Sequence, residues 1–168
     1  QVSSVHFGGG TPNSLAPDEF ERIMAALGHH FALGSDLDLA IELDPRTVDA
    51  GFLAAMRRVG VNRASLGVQD FDPVVQAAVN RVQPFEMVRG CVDSLRDAGI
   101  RSLNLDLIYG LPFQSVSGLR RTVAQAVELT PDRIALFGYA HVPWMKPHQR
   151  LIDDASLPDA YARFRQFE

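Results

Sequence analysis

The chain has 168 residues, of which 46% are hydrophobic and 21% charged, a composition typical of a folded globular domain rather than of a disordered segment. Its formal net charge of -4 disfavours a broad nucleic-acid-binding surface. A single cysteine excludes an internal disulfide, and no apolar run reaches the roughly 18 residues of a membrane span. We therefore expect a cytoplasmic protein with no nucleic-acid and no membrane partner.

The first apolar stretch runs directly into three glycines, in the segment VHFGGGTP at residues 5–12. Glycines carry no β-carbon, so a ligand can approach the backbone closely and N–H groups can point at a polar guest. Pro12 ends the predicted strand, and apolar residues at helical spacing predict a helix from Pro17 to Phe31. The sequence thus predicts a strand, a glycine loop and a helix. A tight turn that requires positive φ remains the alternative explanation of the glycines.

Four further strands are predicted, each separated from the next by at least one helix. Alternating apolar and polar residues predict strands over residues 37–44, 63–71, 103–109 and 133–140. Helical spacing predicts helices over residues 47–59, 73–82, 85–99 and 115–129, and the beginning of another within 156–168. This alternation predicts an α/β fold with a parallel sheet and right-handed crossovers.

The predicted strands are apolar on one face only, which favours a curved, barrel-like sheet over an open sheet covered by helices on both faces. The opposite face carries polar residues close to the strand ends, namely His6, Glu42, Gln69 and Asp106. Burying such groups dry and unpaired would cost several kcal/mol each. We therefore expect the four residues to converge on one opening of the barrel and to surround a polar ligand. A structural hydrogen bond remains the alternative role of each one.

Cys91 lies in the middle of the apolar stripe of the helix that begins at Phe85. A thiol in such a stripe is typically buried and unreactive. We therefore predict that Cys91 is neither a nucleophile nor a metal ligand.

Six ordered motifs extend along the whole chain: HFGGGTP at residues 6–12, IELDP at 41–45, LGVQDF at 66–71, VNR at 79–81, NLDLIYGLP at 104–112 and YAHVPW at 139–144. Together they resemble the radical S-adenosylmethionine superfamily and, within it, the oxygen-independent coproporphyrinogen III oxidases, also called coproporphyrinogen III dehydrogenases. The superfamily has a partial six-stranded (β/α) barrel. The resemblance implies that residues 1–168 are the central part of one catalytic domain, with strands two to six of six, without the first strand and the C-terminal part.

The resemblance also implies a chemistry. In the family, three cysteines of a CxxxCxxC loop hold a 4Fe-4S cluster that binds S-adenosylmethionine, and an electron donor drives its cleavage to a 5'-deoxyadenosyl radical. The radical abstracts hydrogen from a propionate of coproporphyrinogen III, and loss of carbon dioxide leaves a vinyl group. Two such events yield protoporphyrinogen IX in haem biosynthesis.

By similarity, Gly9 and Glu42 contact the cluster-bound S-adenosylmethionine. A second S-adenosylmethionine is contacted by Gly10, Thr11, Gln69, Arg81, Asp106 and Ala140. The planar guanidinium of Arg81 suits a carboxylate. No CxxxCxxC loop occurs in the chain, so we expect residues 1–168 alone to hold no cluster, to have no metal ligand and to be inactive.

Two alternatives remain open. The first is a haem chaperone of the same fold, a paralogue in which a YxLxxEPGT pattern follows the last strand. This chain has FGYAHVPWMKPHQR at residues 137–150 instead, although His141 and His148 could be read as haem ligands. The second is a metal-dependent barrel lyase or aldolase, with His6, Glu42, Asp44 and Asp106 as ligands.

Overall fold

A computed structural model describes residues 1–168, in which five strands alternate with six helices. The strands are β1 (Val2–Phe7), β2 (Leu33–Leu43), β3 (Arg63–Gln69), β4 (Ser102–Tyr109) and β5 (Arg133–Gly138). The helices are α1 (Pro17–His30), α2 (Ala50–Val59), α3 (Pro73–Ala78), α4 (Phe85–Asp97), α5 (Val116–Glu128) and α6 (Ala160–Phe167). Short 3-10 turns occupy Pro12–Ser14, Pro147–Leu151 and Asp154–Ser156.

All neighbouring strands are parallel, and their order in the sheet is the order of the sequence. The sheet curls into a half-barrel, which confirms the predicted α/β partial barrel. Because every strand runs in the same direction, the loops that follow the five strands meet at one edge of the sheet. None of the helices combines the length and the apolarity that crossing a membrane would require.

The hydrophobic core lies between the convex face of the sheet and the helices. The strands contribute alternate residues that are fully buried, among them Ile41, Leu66 and Leu105. The helices contribute Phe20 and Met56, with further residues of α4 and α5 in the same cluster. Burial of each such side chain contributes about 1.5–3 kcal/mol. Polar residues occupy the other, concave face, as the one-sided alternation of the strands predicts.

Several predicted boundaries differ from the structure. β3 ends at Gln69 rather than at residue 71, and α3 ends at Ala78 rather than at residue 82. β2 begins four residues early, at Leu33, because it continues to pair with Val2 of β1 beyond a register shift. α2 begins at residue 50 rather than 47, because the Asp49 side chain caps it by accepting a hydrogen bond from Phe52 N–H. β5 ends at Gly138, two residues early.

Candidate functional site

The loop after β1 is fixed to the end of β2 by one buried amide. Asn13 donates from Nδ2 to the carbonyl of Asp44 and accepts from Asp44 N–H, both at 3.1 Å. Asn13 Nδ2 also donates to Thr47 Oγ1 at 2.8 Å. A side chain that satisfies both backbone groups of a residue on another element restricts both segments. The glycine loop therefore has a defined position relative to Glu42, two residues before Asp44.

Glu42 lies directly beneath the glycine loop. Its Oε1 lies 3.1 Å from His6 Nε2, and its Oε2 accepts a hydrogen bond of 3.2 Å from Gly9 N–H. Gly9 has a φ of +82°, a conformation that favours glycine. A β-carbon on Gly8 would lie 2.8 Å from Glu42 Cδ and from His6 Nε2, so a larger residue there would displace the ends of these two side chains. Gly10, in contrast, faces open space.

A cavity of about 410 Å³ extends from Glu42 across the concave face; we call it the central cavity. It is lined by His6, Glu42, Ser65, Asn104, Asp106, Arg133 and Phe137, among others. Asp106 accepts hydrogen bonds from Asn104 Nδ2 at 2.6 Å and from Ser65 Oγ at 3.1 Å. Its carboxylate is therefore held by two neutral donors and by no cation, and it remains partly exposed to the cavity.

A second cavity of about 460 Å³, the side cavity, lies at the ends of β3, β4 and β5. Gln69, Arg81, Ile108, Leu111, Tyr139 and His148 are among its lining residues. Burial raises the pKa of the Tyr139 phenol, so this group remains a protonated hydrogen-bonding group at neutral pH. The side cavity thus combines one cation and several hydrogen-bonding groups with an apolar wall.

Arg81 is held between two strands. Its Nη2 donates to the carbonyl of Gly67 at 2.9 Å, and its Nη1 lies 3.5 Å from Asp44 Oδ2. Asp44 also accepts a bidentate pair of hydrogen bonds from Arg46. Burial lowers the pKa of Arg81, while the charge of Asp44 opposes this effect. Burial raises the pKa of Asp44, but the hydrogen bonds from Arg46 and the charges of Arg81 and Arg46 outweigh it, and the pKa lies below its usual value.

Gln69 has a φ of +69°, which is strained for a residue with a side chain. A β-carbon on Gly67 would lie 2.9 Å from Gln69 Nε2 and 3.0 Å from Arg81 Nη2, so glycine at this position makes room for both. The β3–β4 register also shifts between Gly67 and Gln69. The strand end is therefore bent, and Gln69 belongs to the side cavity.

A network of buried polar groups holds this bent strand end. Asp70 is 1% exposed and accepts hydrogen bonds from Thr122 Oγ1 at 2.7 Å and from Gln114 Nε2 at 2.6 Å. Gln83, which is fully buried, donates from Nε2 to the carbonyls of Gly67 and Val68. Apart from Gln83 Oε1, which is buried without a partner, the polar atoms named are hydrogen-bonded, and such networks rigidify the segment that they hold.

The predicted convergence of four polar residues on one opening is only partly right. His6, Glu42 and Asp106 line the central cavity, whereas Gln69 lines the side cavity because the strand end bends away. Of the residues that the resemblance assigns to ligands, Gly9 contacts Glu42, and Arg81 joins Gln69 in the side cavity.

The other three residues assigned to ligands are exposed and lie in loops. Gly10 and Thr11 follow β1 and line neither cavity. Ala140 follows Tyr139, and its carbonyl accepts a hydrogen bond of 3.0 Å from Gln149 Nε2.

The structure does not form the metal site of the alternative lyase. No group of three or more His, Cys, Asp or Glu side chains is arranged to hold a metal ion. Asp44 is engaged by Arg46 and Arg81, away from His6 and Glu42. Both ring nitrogens of His141 have neighbours, Tyr139 Oη at 3.3 Å and Asp154 Oδ1 at 2.9 Å. A haem iron would therefore have to displace one of these contacts.

Cys91 is partly buried on α4, and burial with the nearby charge of Asp44 raises the pKa of its thiol to about 11. The prediction of an unreactive thiol is therefore supported. As the only cysteine of the chain, Cys91 does not fit the three-thiolate ligand set of a 4Fe-4S cluster.

Sequence reasoning missed several residues that shape the two cavities. Gly67, Asn13 and Gln83 act through close packing or backbone hydrogen bonds, which leave no characteristic spacing in the sequence. Arg133 lines the central cavity because its strand pairs in register with β4. The alternation of β5 could have placed Arg133 on the same face as Ala135 and Phe137. The register of β5 against β4, which brings Arg133 to the cavity, could not be predicted from the sequence.

A model of the radical SAM superfamily matches residues 1–126. The chain belongs to this superfamily. It is 52% identical over 166 residues to an oxygen-independent coproporphyrinogen III oxidase of Bradyrhizobium diazoefficiens, which covers 99% of this chain and 37% of that protein. It is 42% identical to the protein of the same name in Synechocystis, with 98% and 35% covered. The chain thus spans little more than a third of the length of these two relatives.

Two solved structures share this fold. A radical SAM coproporphyrinogen III oxidase of Escherichia coli superimposes with a TM-score of 0.94 at 40% identity, covering 99% of this chain and 38% of that one. Elp3 of Methanocaldococcus infernus superimposes with a TM-score of 0.74 at 15% identity, covering 98% and 43%, and this likeness concerns the fold alone.

The superfamily implies S-adenosylmethionine and a 4Fe-4S cluster. The residues present suit S-adenosylmethionine, because the space at Gly9 and Gly10 is open and Arg81 Nε is buried without a partner beside the side cavity. They do not suit the cluster, because the chain has one cysteine and the ligand set of the cluster needs three.

Proposed function

We propose that this chain acts in the oxygen-independent oxidative decarboxylation of coproporphyrinogen III to protoporphyrinogen IX. The observation that carries the proposal is the presence of two cavities that carry polar and charged side chains on a radical SAM half-barrel, in a chain 52% identical to an oxidase of that name. S-adenosylmethionine would supply the hydrogen-abstracting species when bound. The residues of the chain would bind and orient it and the substrate.

The central cavity supports binding of one S-adenosylmethionine at Gly9 and Glu42. Glu42 presents a half-exposed carboxylate that can accept hydrogen bonds from the amine or the hydroxyls of this ligand. The glycine loop admits a ligand close to the backbone because Gly9 and Gly10 have open faces.

The side cavity supports binding of a second S-adenosylmethionine. Arg81 can bind its carboxylate, and Gln69 can bind a polar group beside it, because both line this cavity. The contacts proposed by similarity for the second S-adenosylmethionine also include Asp106, Ala140, Gly10 and Thr11. Asp106 lines the neighbouring central cavity, so the second ligand would extend between the two cavities.

We also propose that residues 1–168 work as the central part of one larger catalytic domain. The share of about 37% of the relatives' length supports this proposal, as does the misfit of Cys91 to the cluster. An electron donor would act on the cluster, outside the residues described here.

The test is a hybrid enzyme in which residues 1–168 replace the matched segment of the Bradyrhizobium diazoefficiens oxidase. After anaerobic reconstitution with iron and sulfide, release of carbon dioxide from coproporphyrinogen III is measured with S-adenosylmethionine and a reductant. We expect turnover in the hybrid and its loss in Glu42→Ala and Arg81→Ala. Glu21→Ala and Arg58→Ala are matched controls, because these residues form an ion pair between α1 and α2 on the outer surface.

Two outcomes would count against the proposal. Cleavage of S-adenosylmethionine without carbon dioxide release would support radical S-adenosylmethionine chemistry but contradict coproporphyrinogen III as the substrate. Equal losses in the control variants would show that charge removal in general, rather than the two cavities, accounts for the effect.

The two alternatives are not favoured. The curated relatives cited carry the name of the oxidase rather than of a haem-binding protein. The metal-dependent lyase lacks a ligand set, since the four predicted ligands do not come together.

A further inference from the structure

A polar row crosses the concave face at one level of the sheet. Glu42 pairs in register with Ser65, Ser65 with Asn104, and Asn104 with Arg133. Neighbours in register on parallel strands project from the same face. The row therefore begins with a carboxylate on β2 and ends with a guanidinium on β5, and all four residues line the central cavity.

Hydrogen bonds fix the cationic end of this row. Asn104 Nδ2 donates to Ser65 Oγ at 2.6 Å, and Asn104 Oδ1 accepts from Arg133 Nε at 3.3 Å. Asn104 is only 5% exposed, so the amide that orients the guanidinium is buried in the sheet. The bond through Nε leaves both terminal nitrogens of Arg133 free to form a bidentate contact.

Arg133 also differs from the other arginine of the cavity. Arg63 lies 3.2 Å from Asp38 and is thereby neutralised. Arg133 forms no ion pair within the chain, and its single hydrogen bond is to the neutral Asn104. The central cavity therefore has an uncompensated cation at one end, while Glu42 and Asp106 are acidic elsewhere along it. An anionic group entering the cavity would be repelled by these carboxylates and attracted to the β5 end.

We propose that Arg133 is a substrate-binding residue that takes a carboxylate of an organic ligand on the concave face. Phe137, two residues later on β5, lines the same cavity and offers an apolar surface to the body that carries the carboxylate. The ligand class is thus a carboxylate attached to an apolar or aromatic framework. This inference rests on the proposed function, in which such a carboxylate is a propionate of coproporphyrinogen III.

The first test is kinetic and uses the hybrid enzyme with Arg133→Gln. We expect the KM for coproporphyrinogen III to rise by about tenfold or more, since a bidentate ion pair is lost, with kcat changed much less. Arg133→Lys should recover only part of the affinity, because a lysine cannot form the planar double contact. Arg63→Gln removes the same charge from the same cavity but breaks an existing ion pair, so its KM should change by less than about threefold.

The second test reads the contact directly and does not depend on turnover. In the 168-residue chain, the Arg133 Nε–H signal is assigned by its loss in Arg133→Gln and followed by NMR during titration. Coproporphyrin III as the free acid should shift this signal, and its tetramethyl ester should not.

The outcomes separate the two proposals. A hybrid that turns over with an unchanged KM in Arg133→Gln overturns the role of Arg133 alone, as does an equal rise of KM in Arg63→Gln. A shift of the NMR signal by the free acid only, in a hybrid without decarboxylation, supports the carboxylate site and overturns the proposed reaction. Equal shifts by acid and ester overturn the carboxylate site.

Discussion

The two ends of the concave face are built differently. Around Glu42, on β1 and β2, the side chains are half-exposed, and the contacts are a histidine and one backbone N–H. Around Gln69, at the end of β3, a strained backbone is surrounded by buried amides and a buried carboxyl group. The first region can adjust to a ligand at low cost. The second is held by the fold before any ligand arrives.

Because of this difference, we expect substitutions in the two regions to have different effects on ligand affinity and on the stability of the chain. Changes near Glu42 should alter ligand binding and leave the free energy of unfolding almost unchanged. Changes around Gln69 should alter both, because a buried polar network that loses one member leaves the others unsatisfied.

The largest effect on stability is expected for Asp70→Ala. Its removal leaves the Thr122 hydroxyl and the Gln114 amide without their acceptor in a buried site. We expect the free energy of unfolding to fall by about 3–5 kcal/mol in urea denaturation. Asp72→Ala, which removes the cap of α3 and a partly exposed ion pair with Arg121, should cost about 1–2 kcal/mol. Equal losses in the two variants would contradict the role of the buried network.

Near Glu42, Gly8→Ala should lower ligand affinity with little effect on stability. The new β-carbon would meet the flexible ends of Glu42 and His6 at 2.8 Å, so these side chains would move instead of the backbone. We expect less than about 1 kcal/mol of destabilisation and about a tenfold loss of S-adenosylmethionine affinity in the hybrid, measured by calorimetry. Strong destabilisation would show that the glycine loop is as rigid as the β3 end. Gly28→Ala, on α1, is a control for glycine replacement outside the cavities, because a β-carbon there makes only an ordinary contact of 3.8 Å.

Gln69→Gly should stabilise the chain and weaken ligand binding. Glycine relieves the strain of a φ of +69°, worth about 1–2 kcal/mol, although part of this gain is lost to backbone entropy. Thr130→Gly is the matched control, because Thr130 has a φ of +50° at an exposed position after α5. Thermal denaturation should show both variants stabilised, with ligand affinity lowered only in Gln69→Gly. A loss of stability in Gln69→Gly would mean that its side chain supports the fold.

The pH dependence of stability should include a contribution from Cys91, whose thiol is affected by burial and by the charge of Asp44. Because its pKa is raised from 9.0 to about 11 in the folded chain, its contribution to stability is complete below pH 9 and is lost as the pH rises towards 11. Denaturation at pH 8 and pH 11 should show this decline, and Cys91→Ala should lack it. An identical decline in both proteins would assign it to other groups.

The sequence predicted the fold well because the strands carry their pattern locally. Leu103, Leu105 and Leu107 alternate with polar residues, and all three are fully buried. Boundaries that depend on a single cap, such as Asp49, were less accurate.

The site was only partly predictable. Glu42 and Asp106 could be placed on the concave face from alternation alone. The separation of Gln69 from them depends on a left-handed backbone and a register shift, neither of which the residue pattern encodes. The free guanidinium of Arg133 likewise depends on which residues β4 and β5 bring into register.

The central proposal is that Glu42 and Arg81 contact two different molecules of S-adenosylmethionine. The most direct measurement is the number of molecules bound per hybrid enzyme, obtained by equilibrium dialysis, in the unaltered protein and in Glu42→Gln and Arg81→Gln. We expect about two bound molecules in the unaltered protein and about one in each variant, since each change removes one site. A single bound molecule that either substitution abolishes would contradict this account, because Glu42 and Arg81 would then contact the same molecule.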